Sequence, residues 1–185
     1  MTHAFTRTFT LFGLLLLSAC GSHPAPDMYV LRAPSTGASC TPARTITLER
    51  PTARDEYDTK RIAILMGSNK LTYYTGAAWA SPFPDQLQDF LSDALAQNGI
   101  TVADADAPPR GPVLHLAIAE AQVEQVDAPV VHLRLIATFG AHKRLVLDER
   151  ATAAANHMPE IVDAYNQAAL QAAQKIASAM GTRCR

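Results

Sequence analysis

The chain has 185 residues, with 17 acidic and 16 basic side chains, a formal net charge of −1 and a mean hydropathy of +0.01. So balanced a charge argues against a nucleic-acid-binding protein, which carries a basic face. The length is sufficient for one domain with a sizeable hydrophobic core.

The first feature along the chain is a leucine-rich run, at residues 11–17, that ends in a cysteine. Arg7 precedes it and Leu17-Ser18-Ala19-Cys20 closes it. A membrane-spanning helix needs about 20 apolar residues, so a run this short is typical of a signal peptide. The closing residues resemble a bacterial lipobox, in which the cysteine sulfur carries a diacylglycerol. We predict a lipoprotein signal peptide over residues 1–19 and lipidation of Cys20. An ordinary cleaved signal that happens to contain a cysteine is the alternative.

Residues 20–28 are predicted to form a short lipidated tether. The segment contains prolines and reaches only about 20–25 Å when extended, so the following domain must lie close to its membrane. In enteric bacteria an aspartate after the lipidated cysteine retains a lipoprotein in the inner membrane, and Gly21 stands at that position. We therefore expect the periplasmic face of the outer membrane, with one folded domain over residues 29–185.

Two further cysteines, Cys40 and Cys184, lie near opposite ends of the mature chain. In an oxidising periplasm such a pair favours a disulfide. A bridge that closes so long a loop adds on the order of 4–5 kcal/mol in the chain-entropy model. Two unpaired surface cysteines are the alternative. The chain has no CxxC spacing, so neither a zinc site nor a redox motif is indicated.

The first half of the domain reads as short strands and one helix. Strands are predicted at residues 29–31, 45–48, 61–66, 71–75 and 100–102. Gly67-Ser68-Asn69 turns the chain between two of them. Ser81 is expected to be the helix N-cap, with Pro82 at the first helical position, and Asn98-Gly99 ends the helix.

The second half alternates with period two and ends in a long helix. Strands are predicted from residue 113, at 131–139 and at 144–153, followed by a helix over Pro159–Met180. The helix has a seam of mostly small residues: Val162, Tyr165, Ala169, Ala172, Ile176 and Ala179. Packing of this seam on the chain's own sheet is favoured, with a contact between copies as the alternative. Together these elements predict a single α+β domain, an antiparallel-rich sheet packed against two main helices.

The sequence lacks the common catalytic and nucleotide-binding motifs, so we expect neither an enzyme nor a cofactor. His115 and His132 fall on adjacent predicted strands, on the less apolar faces. A hairpin near Asp127 sets His132 opposite Val123, which separates the two histidines by roughly 25 Å along the strands, too far to share a metal. We therefore predict surface histidines and no metal site.

The densest aromatic cluster is Tyr73, Tyr74 and Trp79. Aromatic residues this close usually fill a core. The alternative is a recognition surface for a partner, because tyrosine and tryptophan are enriched at protein interfaces.

The hairpin at residues 61–74, then Trp79-Ala80-Ser81-Pro82 and the amphipathic helix, resemble the ABC-type transport auxiliary lipoprotein family (the PqiC-like group). The lipobox at Cys20 agrees with that family, and the resemblance extends from about Tyr29 to the last helix. Family members usually carry an arginine just before the tryptophan, where this chain has Ala78. The Cys40 and Cys184 pair is not assigned to the family as a whole.

The resemblance implies a non-catalytic component of an MCE-type lipid transport system. In such systems an inner-membrane ABC transporter works with MCE-domain proteins that bridge the periplasm, and the lipoprotein docks that bridge at the outer membrane. Two alternatives stay open: a lipid carrier that holds phospholipid in its own apolar pocket, and a structural envelope lipoprotein. A homo-oligomeric ring built through the last helix is a further hypothesis.

Overall fold

The computed structural model describes residues 24–35, 44–103, 108, 110–124, 127–140 and 143–182. The predicted signal peptide, Cys20, Cys40 and Cys184 fall outside these ranges. Lipidation and the disulfide therefore stay predictions.

One mixed sheet and two helices make up the described chain, which confirms the single α+β domain. The elements in order are β1 (Asp27–Tyr29), β2 (Arg44–Leu48), β3 (Thr52–Ala53), β4 (Arg61–Met66), β5 (Lys70–Trp79), α1 (Phe83–Gln97), β6 (Ile100–Ala103), β7 (Val113–Glu124), β8 (Val130–Phe139), β9 (Lys143–Thr152) and α2 (Met158–Ala179). Among the described helices, none is long and apolar enough to cross a bilayer. We call the sheet face covered by α1 and α2 the inner face, and the opposite face the outer face.

β7 is the central strand, because both of its edges are paired. β8 pairs antiparallel along one edge, from Leu114 to Glu124. Three short parallel partners share the other edge: β2 at residues 113–114, β3 at 117–118 and β4 at 122–123. The sheet continues from β4 to β5 and β1, and from β8 to β9. The long ladders are antiparallel, whereas each parallel pairing joins two to four residues.

A glycine permits the close approach of β2 to the chain that leads into β7. Gly111 has a φ of +76°, a conformation that other residues rarely adopt. A Cβ atom there would lie 2.1 Å from the Thr45 carbonyl oxygen. No side chain fits at that distance, so glycine is required where the loop passes under β2.

The helix α1 begins without the predicted serine cap. Pro82 occupies the N-cap position, and no side chain caps the helix. The Phe83 N–H donates to the Thr59 carbonyl instead, and Pro84 has no N–H to offer. Few free donors therefore remain for a serine oxygen, and Ser81 Oγ accepts a hydrogen bond from Gln86 Nε2 at 3.1 Å.

The helix α2 packs on its own sheet, as the favoured interpretation of the small-residue seam predicts. It lies against β8, β9 and α1. Seam residues that are buried within the chain are Val162, Tyr165, Ala169, Ala172 and Ile176. Alanine side chains let the helix backbone approach the sheet closely, which is why a 22-residue helix can cover two strands. This contact uses up the seam, so it is not available to a second copy.

A buried ion pair joins α2 to the edge strand β9. Glu149 points to the inner face and is buried, and both of its carboxylate oxygens accept from Lys175 Nζ at 2.7 Å. The Lys175 side chain is itself half exposed. An inward-pointing charge on an edge strand is one of the features that discourage pairing with another chain's strand.

We predict that Lys175→Met lowers the free energy of unfolding by about 1–3 kcal/mol, because the buried Glu149 carboxylate loses its donor. Methionine keeps a similar volume and helix propensity. Urea denaturation measures the effect. Lys70→Met is the matched control, since Lys70 is exposed and has no carboxylate partner among the described residues. Equal effects of the two substitutions would contradict the assignment.

Candidate functional site

Trp79, one of the three aromatic residues predicted as a core or a recognition cluster, lies in the core. It is 2% exposed. Its ring is 5.1 Å from that of Tyr165 at 90°, and 5.6 Å from that of Phe83. The edge-on contact with Tyr165 and the tilted contact with Phe83 join the end of β5 to α2 and α1. The ring itself is therefore unavailable to a partner in this fold.

Tyr74 also faces inward. The hydroxyl groups of Tyr74 and Tyr165 are buried and have no hydrogen-bond partner among the described residues. Burial raises the pKa of both groups, because the ionised phenolate would be poorly solvated. Two unpaired buried hydroxyl groups are costly, so these are positions at which phenylalanine should be tolerated.

Tyr73 lies on the outer face and is half-buried. Its hydroxyl donates to the Glu56 carbonyl at 3.4 Å, and the Arg61 guanidinium carbon lies 3.7 Å from the ring centroid. Tyr73 and Arg61 thus present an aromatic ring and a cation at the same surface, a combination common in binding sites. Partner binding through Tyr73 stays a prediction.

A distortion in β5 explains why these neighbours diverge. The ladder between β4 and β5 shifts register after Arg61, and Gly76, with a φ of +76°, lies in the extra length of β5. The bulge changes the alternation, so Trp79 enters the core while Ala78 lies between Met28 of β1 and Arg61 of β4. Arg61 thus places a cation one strand away from Ala78.

The outer face carries a polar network that crosses β7, β8 and β9, which we call the outer-face network. Its members are Tyr57, Glu120, Gln122, Glu124, His132, Arg134, Asp148 and Arg150. The Tyr57 hydroxyl donates to Gln122 Oε1 at 2.6 Å. The Gln122 amide approaches the carboxylates of Glu120 and Glu124 at 3.4 and 3.5 Å. The network thus runs from the 54–60 segment to the edge strand.

His132 is the centre of this network, and the prediction of a surface histidine is wrong. It is 3% exposed. Its Nδ1 lies 3.0 Å from both Glu120 and Glu124, and its Nε2 lies 3.0 Å from Asp148. Carboxylates only accept, so both nitrogens donate together only when the ring carries its second proton. The hydrogen bond from His132, aided by nearby arginines, holds the pKa of Asp148 below its usual value although partial burial opposes this.

A bulge that the sequence analysis did not anticipate creates the network. The register of β7 against β8 shifts between Ile118 and Glu120, so Ala119 is the extra residue. Beyond it, Glu120 and Glu124 face outward beside His132, which pairs with Gln122 rather than the predicted Val123. Alternating polar residues on the three strands were the available signal: E-x-Q-x-E, H-x-R and D-x-R.

Glu120, Glu124 and His132 are the described residues whose ligand atoms lie close enough together to hold a metal ion, all within 4.8 Å. Arg150 Nη2, however, lies 3.3 Å from the same Nδ1, and Arg134 lies 3.5 Å from Glu120. Guanidinium groups thus supply positive charge where a metal ion would supply it. The arrangement fits a structural network of carboxylates, arginines and His132 that holds three strands together.

Several other polar residues, including His115 from the sequence analysis, lie apart from this network. His115 is exposed, with Nδ1 2.7 Å from Glu49. His157 is exposed at the start of α2. Arg50 binds Asp58 and Asp85, and its hydrogen bonds raise its own pKa and lower that of Asp58. These exposed pairs fasten the 51–60 segment to α1 and contribute little stability individually.

Tyr57 provides a pH-dependent test of the network. Burial, followed by the charge of Glu120, raises its pKa to about 12. The stabilisation by the neutral hydroxyl is therefore complete below a pH of about 10, the pKa of a tyrosine in the unfolded chain. It is lost as the pH rises through about 12, the pKa in the folded chain. Between these two pH values we expect the free energy of unfolding to fall by about 1–2 kcal/mol more in the wild type than in Tyr57→Phe.

Chemical denaturation of both proteins at about pH 9.5 and 11.5 measures this difference. Tyr74 and Tyr165 are present in both proteins, so their ionisation cancels in the comparison. Parallel losses in the two proteins would show that Tyr57 is not held in the neutral form by its surroundings.

Among the clefts that border the described residues are three with volumes of about 120, 340 and 580 Å³. Each has charged residues in its wall: Glu49 and Arg50, Arg32 and Asp163, or Glu149 and Lys175. A site for acyl chains is expected to be enclosed and apolar. These clefts are open and do not match that description.

The family model of the ABC-type transport auxiliary lipoprotein component matches residues 29–177. A search of curated proteins gives no match. One similar crystal structure, of an uncharacterised protein, has 15% identity and a TM-score of 0.69, and the alignment covers 85% of this chain and 99% of that one. Another, of a DUF330 protein from Xanthomonas campestris, has 21% identity and a TM-score of 0.64, covering 83% and 91%. Identities this low show a shared fold.

Proposed function

Since this chain belongs to the ABC-type transport auxiliary lipoprotein component family, we propose that it serves an MCE-type intermembrane lipid transport system as a non-catalytic part. Acylated at Cys20, it is anchored at the periplasmic face of the outer membrane. There it docks the MCE-domain protein that spans the periplasm, while the ABC transporter supplies the energy at the inner membrane.

The observation that carries the proposal is the family match over residues 29–177, which covers both helices and most of the sheet. The short distance between the lipobox and the folded domain adds support. The first described strand begins at Asp27, seven residues after Cys20, a distance of roughly 25 Å at most. A domain on so short a tether cannot cross the periplasm, so transport between membranes requires a longer partner.

The partner-binding surface is proposed to include Tyr73 on the outer face, next to Arg61. An exposed cation over an aromatic ring, beside the charged outer-face network, offers both stacking and ion pairs to a partner. Trp79 and Tyr74 support this surface from the core side of β5. The partner contacts the outer face because α1 and α2 cover the inner one.

The lipid-carrier alternative is less well supported, because the clefts have charged walls and aromatic and alanine side chains fill the space between the helices and the sheet. A structural lipoprotein without a transporter partner is the other alternative. Both become outcomes of the experiment below.

The test is affinity purification of the full-length lipoprotein from crosslinked native membranes, followed by mass spectrometry of proteins and lipids. We expect an MCE-domain protein and ABC transporter subunits, with lower recovery for Tyr73→Ala than for the matched outer-face control Val146→Ala. Stoichiometric phospholipid without those proteins would favour a carrier. Neither partners nor lipid would favour the structural role and reject the proposal.

A further inference from the structure

Four large apolar side chains are exposed in the described part of the chain, and two of them lie together. Met28 and Val30 are 57% and 43% exposed, whereas Met66 and Val146 are isolated at 45% and 50%. The pair is two residues apart on extended chain, so both side chains project to the same side. Tyr29 packs against the core from the other side.

Hydrogen bonds hold this pair rigidly. The Tyr29 carbonyl accepts from the Ala80 N–H at 2.9 Å, and the Leu31 N–H donates to Gln86 Oε1 at 2.9 Å. The Arg32 N–H donates to Asn166 Oδ1 at 3.0 Å. The segment is thus fixed to β5, α1 and α2 in turn. An apolar pair held in place at the surface is suited to contact another apolar phase.

The pair also lies where the lipid tether enters the domain. β1 is an edge strand, paired only with β5 among the described strands, and Met28 follows Cys20 by eight residues. We propose that the β1 edge, through Met28 and Val30, lies against the phospholipid surface that holds the anchor. This inference rests on the lipid anchor of the proposed function and adds an orientation to it.

The orientation follows from the strand order. Val146 lies on β9, five strand spacings from β1, or roughly 24 Å away. Arg61, at the start of β4, is level with Met28 across the sheet. Met66 is at the other end of β4, roughly 16 Å from Arg61 along the strand. With the β1 edge on the bilayer, the outer-face network and β9 remain accessible from the periplasm.

The contact is apolar rather than electrostatic. The exposed charges next to the pair along the chain are one acidic residue, Asp27, and one basic residue, Arg32, while the exposed Arg61 lies two strands away, over the Tyr73 ring. Two opposite charges give no net attraction to anionic headgroups, so apolar burial must supply the contact. We therefore expect little dependence on salt.

The test uses the full-length acylated protein in vesicles of phosphatidylethanolamine and phosphatidylglycerol. Cys40→Ser and Cys184→Ser remove competing thiols, and one cysteine at position 28, 30, 66 or 146 carries an environment-sensitive fluorophore. We expect probes at Met28→Cys and Val30→Cys to shift to the blue and to show at least about twofold more quenching by nitroxide lipids. Met66→Cys and Val146→Cys are the controls of similar exposure.

Vesicle flotation separates the two levels of the proposal. Protein that does not float lacks the anchor, which overturns both the anchor and this orientation. Protein that floats with four identical probe spectra keeps the anchor and overturns the orientation, as does stronger quenching at position 66 or 146.

Hydrogen exchange on the chain with native cysteines is the second measurement. Vesicles should protect residues 24–30 and leave 143–152 unchanged, and the reverse result would reject the inference.

Discussion

Replacing Trp79 by alanine is expected to lower the free energy of unfolding by about 3–5 kcal/mol. The side chain is fully enclosed between β5 and the two helices, and its ring is within 6 Å of those of Phe83 and Tyr165. Truncation removes the largest buried side chain and leaves a cavity that three separate elements would have to close. For a domain of this size the loss lowers the melting temperature by roughly 10 °C.

Circular dichroism during thermal and urea unfolding measures this effect, since the variant loses the chain's single tryptophan as a fluorophore. Tyr73→Ala is the matched control from the same strand. Its ring is half-buried on the outer face, so we expect a loss of less than about 2 kcal/mol. If the two substitutions cost the same, the division of this aromatic cluster into a core ring and a surface ring is wrong.

Helices were predictable because their signals are local. The predicted bounds of α2, Pro159–Met180, differ from Met158–Ala179 by one residue at each end. The seam was correctly assigned because small and apolar residues recur at helical spacing on one face. The first helix was misplaced only at its start. There a backbone hydrogen bond from the Phe83 N–H to the Thr59 carbonyl replaces the serine cap. Thr59 is far from Phe83 in the sequence, so no local pattern indicates this bond.

The sheet was predictable in its hairpins and not in its crossovers. The antiparallel pairs β7–β8 and β8–β9 join consecutive strands through short connections, and period-two alternation marks them. The division of one edge of β7 among β2, β3 and β4 depends on contacts between residues more than 50 positions apart, such as Ala63 with Gln122. Alternation within a strand carries no information about such partners.

The outer-face network shows how one extra residue changes the chemistry of a surface. Without the bulge at Ala119, the alternation set by Leu114 would turn Glu120 and Glu124 toward the core. With it, the carboxylates lie beside His132 and the arginines of β8 and β9. Polar alternation in three consecutive strands is a signal for such a network only when the strand register is known without a one-residue error, because such an error exchanges the two faces.

The resulting domain has two chemically different sides. The inner face is filled by α1 and α2, and the outer face carries Tyr73, Arg61 and the charged network. The outer face thus offers polar and aromatic groups, and the three clefts described above are open and have charged residues in their walls. This distribution supports the proposed docking role through the outer face.

Cys20→Ala is expected to abolish incorporation of labelled palmitate, because the proposed acyl chains require the cysteine sulfur and amine. One acyl chain binds a bilayer only reversibly, at about 10⁴ M⁻¹, whereas two or three hold a protein permanently in practice.

The retained signal peptide would itself keep some of this variant at the membrane. A second protein, in which a conventional signal peptide precedes Gly21, should therefore leave the membrane fraction almost completely. Cys40→Ala is the matched control: it removes a thiol and the predicted disulfide but should keep both the label and the location. Palmitate label in Cys20→Ala, or membrane retention of the protein that begins at Gly21, would place the attachment elsewhere in the chain. Loss of both the label and the membrane retention would place the lipid attachment at Cys20, seven residues before β1 begins.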